Sequence, residues 1–274
     1  MKKVGILINS EKDVNFIFTK KVCSHIERDG VEIFVEDCVN TKKYTRMTIS
    51  EIFEKCDYAI VIGGDGTILN KIKHSNFYNA QIYGINIGNL GYLTDVDKNK
   101  YKSGIDKLLS GDTFTEKRMM LECNYKNHKV IALNDVCIAK GHKHNMVITD
   151  IEINNSHVDT VRGDGLIVAT PTGSTAYNLS AGGPILKSDC EVIGVTPISP
   201  HAIFARPFVV SGDDEICITV SDTGSDATLF VDGKNLFYLN DEEKIYIKKS
   251  TKNVIIVKTT EKNFYKVLRD KIQR

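Results

Sequence analysis

The chain has 274 residues, 42% of them apolar and 26% charged, which is the composition of a globular protein with one large domain or two smaller ones. A formal net charge of +1 gives no electrostatic reason to expect binding to nucleic acid or to a membrane surface. The seven cysteines are scattered without a Cys-x-x-Cys pair, and no stretch has the apolar length of a signal peptide or membrane span, so we expect a cytoplasmic protein with reduced cysteines.

Residues 1–113 alternate between strand-like and helix-like patterns, which predicts a Rossmann-like α/β domain with a parallel sheet. Strands are predicted at 4–8, 31–35, 57–62 and 81–86. Helices are predicted at 14–28, from about 67, and at 101–109, and residues 36–48 are predicted to be loop.

A glycine-rich turn, Gly-Gly-Asp-Gly-Thr at 63–67, follows the buried strand 57–62. Gly63, Gly64 and Gly66 let backbone N–H groups approach phosphate oxygens, and Thr67 is predicted to cap the helix and to bind phosphate through its hydroxyl. Asp65 is unexpected beside phosphate, because a carboxylate repels it. This residue is explained if it accepts a proton from an attacking hydroxyl or binds a metal, although a plain strand–helix turn remains an alternative.

After residue 113 the pattern changes to successive strands with few helices, which predicts an all-β second domain, a β-sandwich. Strands are predicted at 119–125, 130–139, 146–153, 165–169, 215–220, 227–231, 244–248 and 254–258. We therefore expect an α/β domain at 1–113 and a β-rich domain at 114–259. A last helix, from about 263 within the segment 260–274, is expected to pack back on the first domain.

Two polar segments interrupt the second domain's apolar runs. Asn134 and Asp135 lie inside a strand pattern, which is unfavourable unless they are paired, functional or part of a bulge. Residues 162–184 form a strand, a hydroxyl-rich glycine turn and a short helix. The hydroxyl and N–H groups of this segment are predicted to hold a phosphate or an adenine edge, although a turn with a helix cap would also explain them.

Taken in order, these segments resemble the bacterial NAD kinases over nearly the whole chain from residue 57. The matching blocks are residues 63–67, 89–95, 134–135, 164–177, 182–184, 196–201, 206–207 and 231–233. On its own, the pentapeptide at 63–67 is also similar to a signature of diacylglycerol and sphingoid kinases and, more loosely, of phosphofructokinases. The order of the blocks is what distinguishes the NAD kinases.

The resemblance implies transfer of a phosphoryl group from ATP, or from polyphosphate, to the 2′-hydroxyl of the adenosine ribose of NAD, giving NADP. It implies a divalent metal such as Mg²⁺, for which no protein ligand is assigned, and a homotetramer or homodimer. Asp65 matches the catalytic aspartate, and Gly63, Gly64 and Thr67 match the phosphate loop. The residues that resemble the NAD-binding set, part of it supplied by a neighbouring subunit, are Gly66, Asn134, Asp135, Asp164, Thr175, Ala176, Tyr177 and Ser180.

Two other functions are compatible with parts of this pattern. A lipid kinase would share the glycine loop, but would need an apolar acceptor channel or a membrane-facing patch. A non-catalytic dinucleotide sensor would keep the binding residues, but would gain little from an acid at position 65. The pair His142 and His144 has no carboxylate or cysteine at metal-ligand spacing, which favours a solvated loop. The sequence leaves open ATP against polyphosphate and NAD against NADH.

Overall fold

The computed structural model describes residues 1–28, 30–75, 78–88, 91–141, 145–202, 204–221, 227–261 and 264–272. The chain divides into two compact units, Met1–Lys117 together with the chain from Val254, and Arg118–Asn253. Within the described ranges, no helix is both long and apolar enough to cross a bilayer.

The first unit is built on a parallel sheet. Its strands are β1 (Lys2–Ile8), β2 (Val31–Glu36), β3 (Thr45–Met47), β4 (Tyr58–Gly63), β5 (Gln81–Asn86) and β6 (Val96–Asp97). Its helices up to this point are α1 (Ile17–Ile26), α2 (Ile49–Lys55), α3 (Asp65–Lys73) and α4 (Tyr101–Ser110). The strand order is β3-β2-β1-β4-β5, with every neighbouring pair parallel, and β6 extends the sheet beside the end of β5.

Strand β4 is buried on both faces, as its unbroken apolar run predicts. Ala59, Ile60, Val61 and Ile62 have no exposed surface. Because parallel strands point the same way, the loops after β1, β4 and β5 leave the sheet at one edge. That edge carries the glycine-rich turn.

One prediction for this unit was wrong, and one helix was not predicted. Residues 36–48 contain the short strand β3, and the helix α2 follows without having been predicted. Only three of the seven residues in α2 are apolar, so its periodicity is weak. Its start was nevertheless readable, because Thr48 and Glu51 form a capping box that satisfies the first backbone donors.

The second unit is almost entirely antiparallel. Its strands are β7 (Phe114–Tyr125), β8 (His128–Ala132), β9 (Asp135–Ala139), β10 (Val147–Ile153), β11 (Ser156–Gly163), β12 (Gly165–Ala169), β13 (Val192–Ile198), β14 (Phe208–Ser211), β15 (Ile216–Ser221), β16 (Thr228–Val231), β17 (Lys234–Tyr238) and β18 (Glu243–Lys258), and its short helix is α5 (Tyr177–Ser180). One sheet contains β11-β10-β15-β18 in that order, and the other runs β14-β13-β12-β9-β16-β17.

A single apolar cluster fills the space between these two sheets. It joins Val147 and Ile151 of β10 to Leu166 and Val168 of β12, all at most 1% exposed. The second unit is therefore a β-sandwich, as predicted. Together with the parallel first unit, this confirms the expected fold class, while the domain boundaries at 113 and 259 stay a prediction.

Two strand predictions here need correction. The segment 130–139 is two strands, β8 and β9, because the chain breaks at Leu133 and Asn134. The segments 244–248 and 254–258 belong to one strand of 16 residues, β18, whose polar middle resembles a turn but contains no glycine or proline. Four strands were missed, of which β11 is the clearest case: it is an edge strand with mostly exposed residues, so its sequence lacks an apolar face.

The last five residues of β18 return the chain to the first unit, where Ile256 pairs in parallel with Ile82 of β5. The final helix, α6 (Phe264–Ile272), belongs to the same unit. The predicted start of that helix, residue 263, lies outside the described residues.

Candidate active site

The glycine-rich turn joins β4 directly to α3. A Cβ atom on Gly63 would lie 2.3 Å from the Thr67 hydroxyl oxygen, so only glycine fits there. A Cβ on Gly66 would meet nothing within 4 Å, so the outer face of the turn is open. Backbone N–H groups on that face can approach an anion at the start of the helix.

The prediction that Thr67 caps the helix was wrong, because Gly64 is the N-cap residue. The helix begins at Asp65, two residues before Thr67. The Thr67 hydroxyl is buried and accepts hydrogen bonds from Gly64 N at 3.3 Å and from Asn9 Nδ2 at 3.1 Å. It therefore fastens the turn to the end of β1. Its predicted contact with phosphate stays a prediction.

The carboxylate of Asp65 is held by three consecutive backbone N–H groups. Tyr92 N donates to Oδ2 at 2.6 Å, and Leu93 N and Thr94 N donate to Oδ1 at 3.0 and 3.2 Å. A Cβ on Gly91 would lie 1.7 Å from Asp65 Oδ1, so glycine is required beside the carboxylate. Asp65 is only partly buried, so a fixed and accessible acid stands at the first turn of α3.

The loop that holds Asp65 is itself held from behind by Lys258. This lysine is 5% exposed, and its Nζ donates to the carbonyl oxygens of Tyr92, Leu93 and Thr94 at 3.2, 2.9 and 3.0 Å. Each of the two peptide groups, 92–93 and 93–94, therefore accepts a hydrogen bond from Lys258 at its oxygen and donates its N–H to Asp65. Such an arrangement orients the peptide dipoles so that each charge strengthens the hydrogen bonds made by the other.

A second buried charge pair holds α3 to the sheet. Lys71 Nζ lies 2.5 Å from Glu36 Oε1, and both side chains are at most 10% exposed. The other oxygen of Glu36 accepts Ile8 N at 2.9 Å. Breaking a buried pair of this kind is expensive, so α3 has a fixed position relative to β1 and β2.

The next loop along the same sheet edge follows β5. Ile87 N donates to Gly63 O at 3.4 Å, and Gly88 N donates to Asn86 Oδ1 at 2.9 Å. Asn86 is 1% exposed, and its Nδ2 atom has no hydrogen-bond partner among the described residues. Asn89 and Leu90, which belong to one of the matching sequence blocks, lie outside those residues.

In the second unit, Asn134 and Asp135 lie where β8 ends and β9 begins, and a neighbouring carboxylate fixes them. Asp232, 6% exposed, accepts the backbone N–H groups of Leu133, Asn134 and Asp135 at 3.0, 2.6 and 3.1 Å. Three donors on one buried carboxylate stabilise the strand break without a bulge. Both predicted residues therefore have a defined backbone position.

Asn134 and Asp135 open onto a pocket of about 380 Å³ together with Ala176 and Tyr177. The remaining lining residues are Cys137, Ala139, Phe230, Asp232 and Gly233. Partial burial, followed by the nearby Cys137 and the carboxylates of Asp164 and Asp135, raises the pKa of the Tyr177 hydroxyl. This group therefore stays a neutral hydrogen-bond donor at physiological pH.

Part of the hydroxyl-rich segment 162–184 has structural partners within the unit. Thr170, with no exposed surface, donates to Leu133 O at 2.6 Å, and Ser174 Oγ donates to Pro171 O at 2.7 Å. The buried Asn178 amide accepts the Thr196 hydroxyl at 2.7 Å. These buried groups shape the segment, so the expectation that its hydroxyls in general hold a ligand was too broad.

Four of the predicted NAD-binding residues do not line that pocket, and one of them, Gly66, belongs to the glycine turn of the first unit. Asp164 forms an ion pair with Lys140 at 2.6 Å, the Thr175 hydroxyl donates to Thr172 O at 3.4 Å, and Ser180 is exposed. Their roles stay predictions.

Four residues of the arrangement were missed at the sequence level: Asn9, Asn86, Asp232 and Lys258. Asp232 was part of a matching block but received no role. Nothing local in the sequence marks the others, because an asparagine or lysine at a strand end is common.

Metal ligands are sparse in the described part of the chain. The only group of three potential ligand residues found there is Glu36, Asp37 and Cys38, and Glu36 is already engaged with Lys71 and Ile8 N. His142 and His144 lie outside the described residues.

Family models and sequence relatives both match this chain over most of its length. The family models for the N-terminal and C-terminal domains of ATP-NAD kinase match residues 4–113 and 133–259. The sequence is 40% identical to an NAD kinase of Thermoanaerobacter sp. (strain X514) over 281 aligned residues, which cover 99% of each chain. It is 35% identical to an NAD kinase of Clostridium botulinum (strain Loch Maree / Type A3), over 99% of this chain and 96% of that one.

Two solved structures have a similar fold. A yeast NADH kinase complexed with NADH superposes with a TM-score of 0.90 at 24% identity, covering 100% of this chain and 88% of the yeast chain. An NAD kinase from Archaeoglobus fulgidus in complex with ATP superposes with a TM-score of 0.81 at 25% identity, covering 99% and 98%.

Proposed function

This chain belongs to the NAD kinase family, and we propose that it transfers the terminal phosphoryl group of ATP to the 2′-hydroxyl of the adenosine ribose of NAD, giving NADP. The observation that carries the proposal is the fixed, accessible carboxylate of Asp65 at the open glycine turn. The family matches and the ATP complex of the archaeal relative support the nucleotide chemistry.

Asp65 is the proposed base. The ribose O2′ forms a bond to the terminal phosphorus as the bond from that phosphorus to the bridging oxygen breaks, and ADP leaves. The O2′ proton passes to Asp65. Because an ordinary carboxylate with a pKa of about 4 is a weak base towards an alcohol, the proton moves late, as the phosphoryl group arrives. The three N–H groups that hold Asp65 keep it oriented for that step.

The glycine turn is proposed to bind the donor phosphates through the backbone of Gly63, Gly64 and Gly66, with Thr67 holding the turn in shape. A divalent cation such as Mg²⁺ fits this site only in part, because Asp65 is the one carboxylate on the turn. Mg²⁺ typically takes one or two carboxylates plus substrate phosphates and water, so Asp65 and the donor would hold it. When bound, it neutralises charge on the phosphates.

The pocket of the second unit is proposed to take the adenosine of NAD. Asn134 and Asp135 offer amide and carboxylate groups for the ribose and base, and Tyr177 offers an aromatic face that is 48% exposed. Gly66, Asp164, Thr175, Ala176 and Ser180 are proposed to complete the NAD-binding set. We further propose a cytoplasmic homodimer or homotetramer in which a neighbouring subunit supplies part of that set.

The test is NADP formation from NAD and MgATP, reported by an NADP-specific dehydrogenase. Asp65→Asn should lower kcat by at least about a hundredfold, the range for loss of a general base, with the Michaelis constant for NAD little changed. Asp112→Asn, on an exposed carboxylate of the same unit, is the matched control and should be normal. Near-normal turnover in Asp65→Asn would overturn the assigned role. NAD binding without NADP formation by the parent protein would favour the dinucleotide sensor instead.

A further inference from the structure

A pocket of about 730 Å³ in the first unit is lined by four lysines. The site described above gives this pocket no role. It is bounded by Lys12, Asp13, Phe18, Lys21, Ile87, Lys98, Asn99, Tyr101 and Lys102. These residues come from the loop after β1, from α1, from the loops after β5 and β6, and from the start of α4. The pocket therefore lies at the ligand-binding edge of the parallel sheet.

The charge of this pocket is not neutralised from within. Among the described residues, none of its four lysines has a carboxylate within 4 Å. Its one acidic residue, Asp13, is 4% exposed and accepts hydrogen bonds from Phe18 N, Thr19 N and the Thr19 hydroxyl. Four lysines against one turned-in aspartate leave a concave surface with a positive potential, which concentrates anions.

The inner rim of the pocket adjoins the glycine turn. Ile87, in its wall, donates its N–H to Gly63 O. Lys12 N donates to Asn9 Oδ1 at 3.1 Å, and the Asn9 amide donates to Thr67. A Cβ built on Gly88 would lie 3.6 Å from Lys12 Nζ, so this lysine stands over the second glycine loop. An anion bound at the turn would therefore lie at the edge of the lysine pocket.

Asn86 provides an independent sign of a ligand at this rim. Its side-chain oxygen holds Gly88 N, whereas its buried Nδ2 has no hydrogen-bond partner among the described residues. Leaving a buried amide donor unpaired costs free energy, so such donors usually have a function. Asn86 lies opposite Gly63 in the sheet register, where a phosphate oxygen would satisfy it.

We propose that the lysine pocket binds the linear chain of phosphate groups of the phosphoryl donor. This assignment rests on the proposed function. The chain can be the tail of a nucleoside triphosphate or a stretch of inorganic polyphosphate. Phe18 and Tyr101, in edge-to-face contact at 5.0 Å between ring centroids, form the apolar wall of the same pocket.

The test is calorimetric binding of tripolyphosphate to the full chain, without NAD. The double variant Lys21→Gln/Lys102→Gln removes two pocket charges, and Lys20→Gln/Lys100→Gln removes two neighbouring charges outside the pocket. The pocket variant should bind on the order of tenfold more weakly, and the control like the parent. The difference in affinity should shrink as salt rises from 50 to 300 mM, because the Debye length falls through about 10 Å in this range and the charges are increasingly screened. Equal binding by both variants and the parent would overturn the site.

The NADP assay then identifies the source of the phosphate chain. If the pocket variant raises the Michaelis constant for ATP and for polyphosphate alike, the pocket holds the triphosphate tail. If only polyphosphate is affected, the pocket serves inorganic chains. An unchanged constant for both donors overturns the role in donor binding. A parent protein that makes no NADP with either donor, yet binds tripolyphosphate through Lys21 and Lys102, overturns the proposed function and leaves the anion site standing.

Discussion

Lys258 supports the loop that orients Asp65, and replacing this lysine with methionine tests that connection. Methionine keeps most of the apolar volume but removes the ammonium group and its three hydrogen bonds to the carbonyl oxygens of residues 92–94. Because the same residues donate their N–H groups to Asp65, the change should loosen the loop and with it the carboxylate.

The expected loss of stability follows from the contacts. A hydrogen bond to a charged group contributes about 1.5–3 kcal/mol, and Lys258 makes three of them at 5% exposure. Relief from the desolvation of the buried ammonium offsets part of this sum, so the free energy of unfolding should fall by about 3–5 kcal/mol. At about 2–4 °C for each kcal/mol in a chain of this size, Tm should fall by about 10 °C.

Urea unfolding and NADP formation measure the two consequences separately. In Lys258→Met, kcat should fall with little change in the Michaelis constant for NAD, because the loop acts on Asp65. Lys258→Arg keeps the charge and should recover much of the lost turnover. Lys248→Met is the matched control on the same strand: Lys248 is exposed and lies 3.5 Å from Glu215, so its loss should cost less than about 1 kcal/mol.

The result that would refute this reasoning is a Lys258→Met protein within about 1 kcal/mol of the parent and with unchanged kcat. A protein that is destabilised but turns over normally at a temperature where it is folded would show that Lys258 stabilises the unit without orienting Asp65.

Two further predictions follow from the geometry. Gly91→Ala places a Cβ 1.7 Å from Asp65 Oδ1, so the carboxylate must move, and kcat should fall about a hundredfold; a value within threefold of the parent would contradict the fit described here. For Glu243, partial burial alone would raise the pKa, but hydrogen bonds from Lys126, Tyr125 and a neighbouring asparagine lower it from 4.5 to about 2. Its stabilising effect is therefore complete above about pH 4.5 and is lost as the pH falls towards 2. Glu243→Gln should be less stable by about 3 kcal/mol at pH 7 and equal to the parent near pH 2; a difference independent of pH would exclude this cause.

The sequence predicted the parts of the fold that depend on continuous apolar runs. The strands β4 and β5 are buried on both faces and closed by glycine or asparagine, so their position and the loop after them could be read directly. The strand β11 could not be read, because an exposed edge strand needs no apolar face. Short α2 was missed for a related reason, since seven residues give too few turns for a clear period.

For the candidate site, the sequence supplied the residues but not the contacts that position them. Asp65 stood out because a carboxylate on a phosphate loop needs a chemical reason. Lys258 did not, because it reaches a loop that is 164 residues away at Thr94. Long-range contacts of this kind depend on the parallel pairing of Ile256 with Ile82, which brings the end of β18 beside β5.

Asp65 and Asp232 make the same kind of contact, and their exposure separates their roles. Each carboxylate accepts three consecutive backbone N–H groups, from residues 92–94 in the first case and from residues 133–135 in the second. Asp232 is 6% exposed, so its capacity is used within the protein, and it positions Asn134 and Asp135. Asp65 is partly exposed, so its carboxylate can be reached from outside the protein. This difference in exposure agrees with the proposed roles, in which Asp65 reacts and Asp232 supports the residues of a binding site.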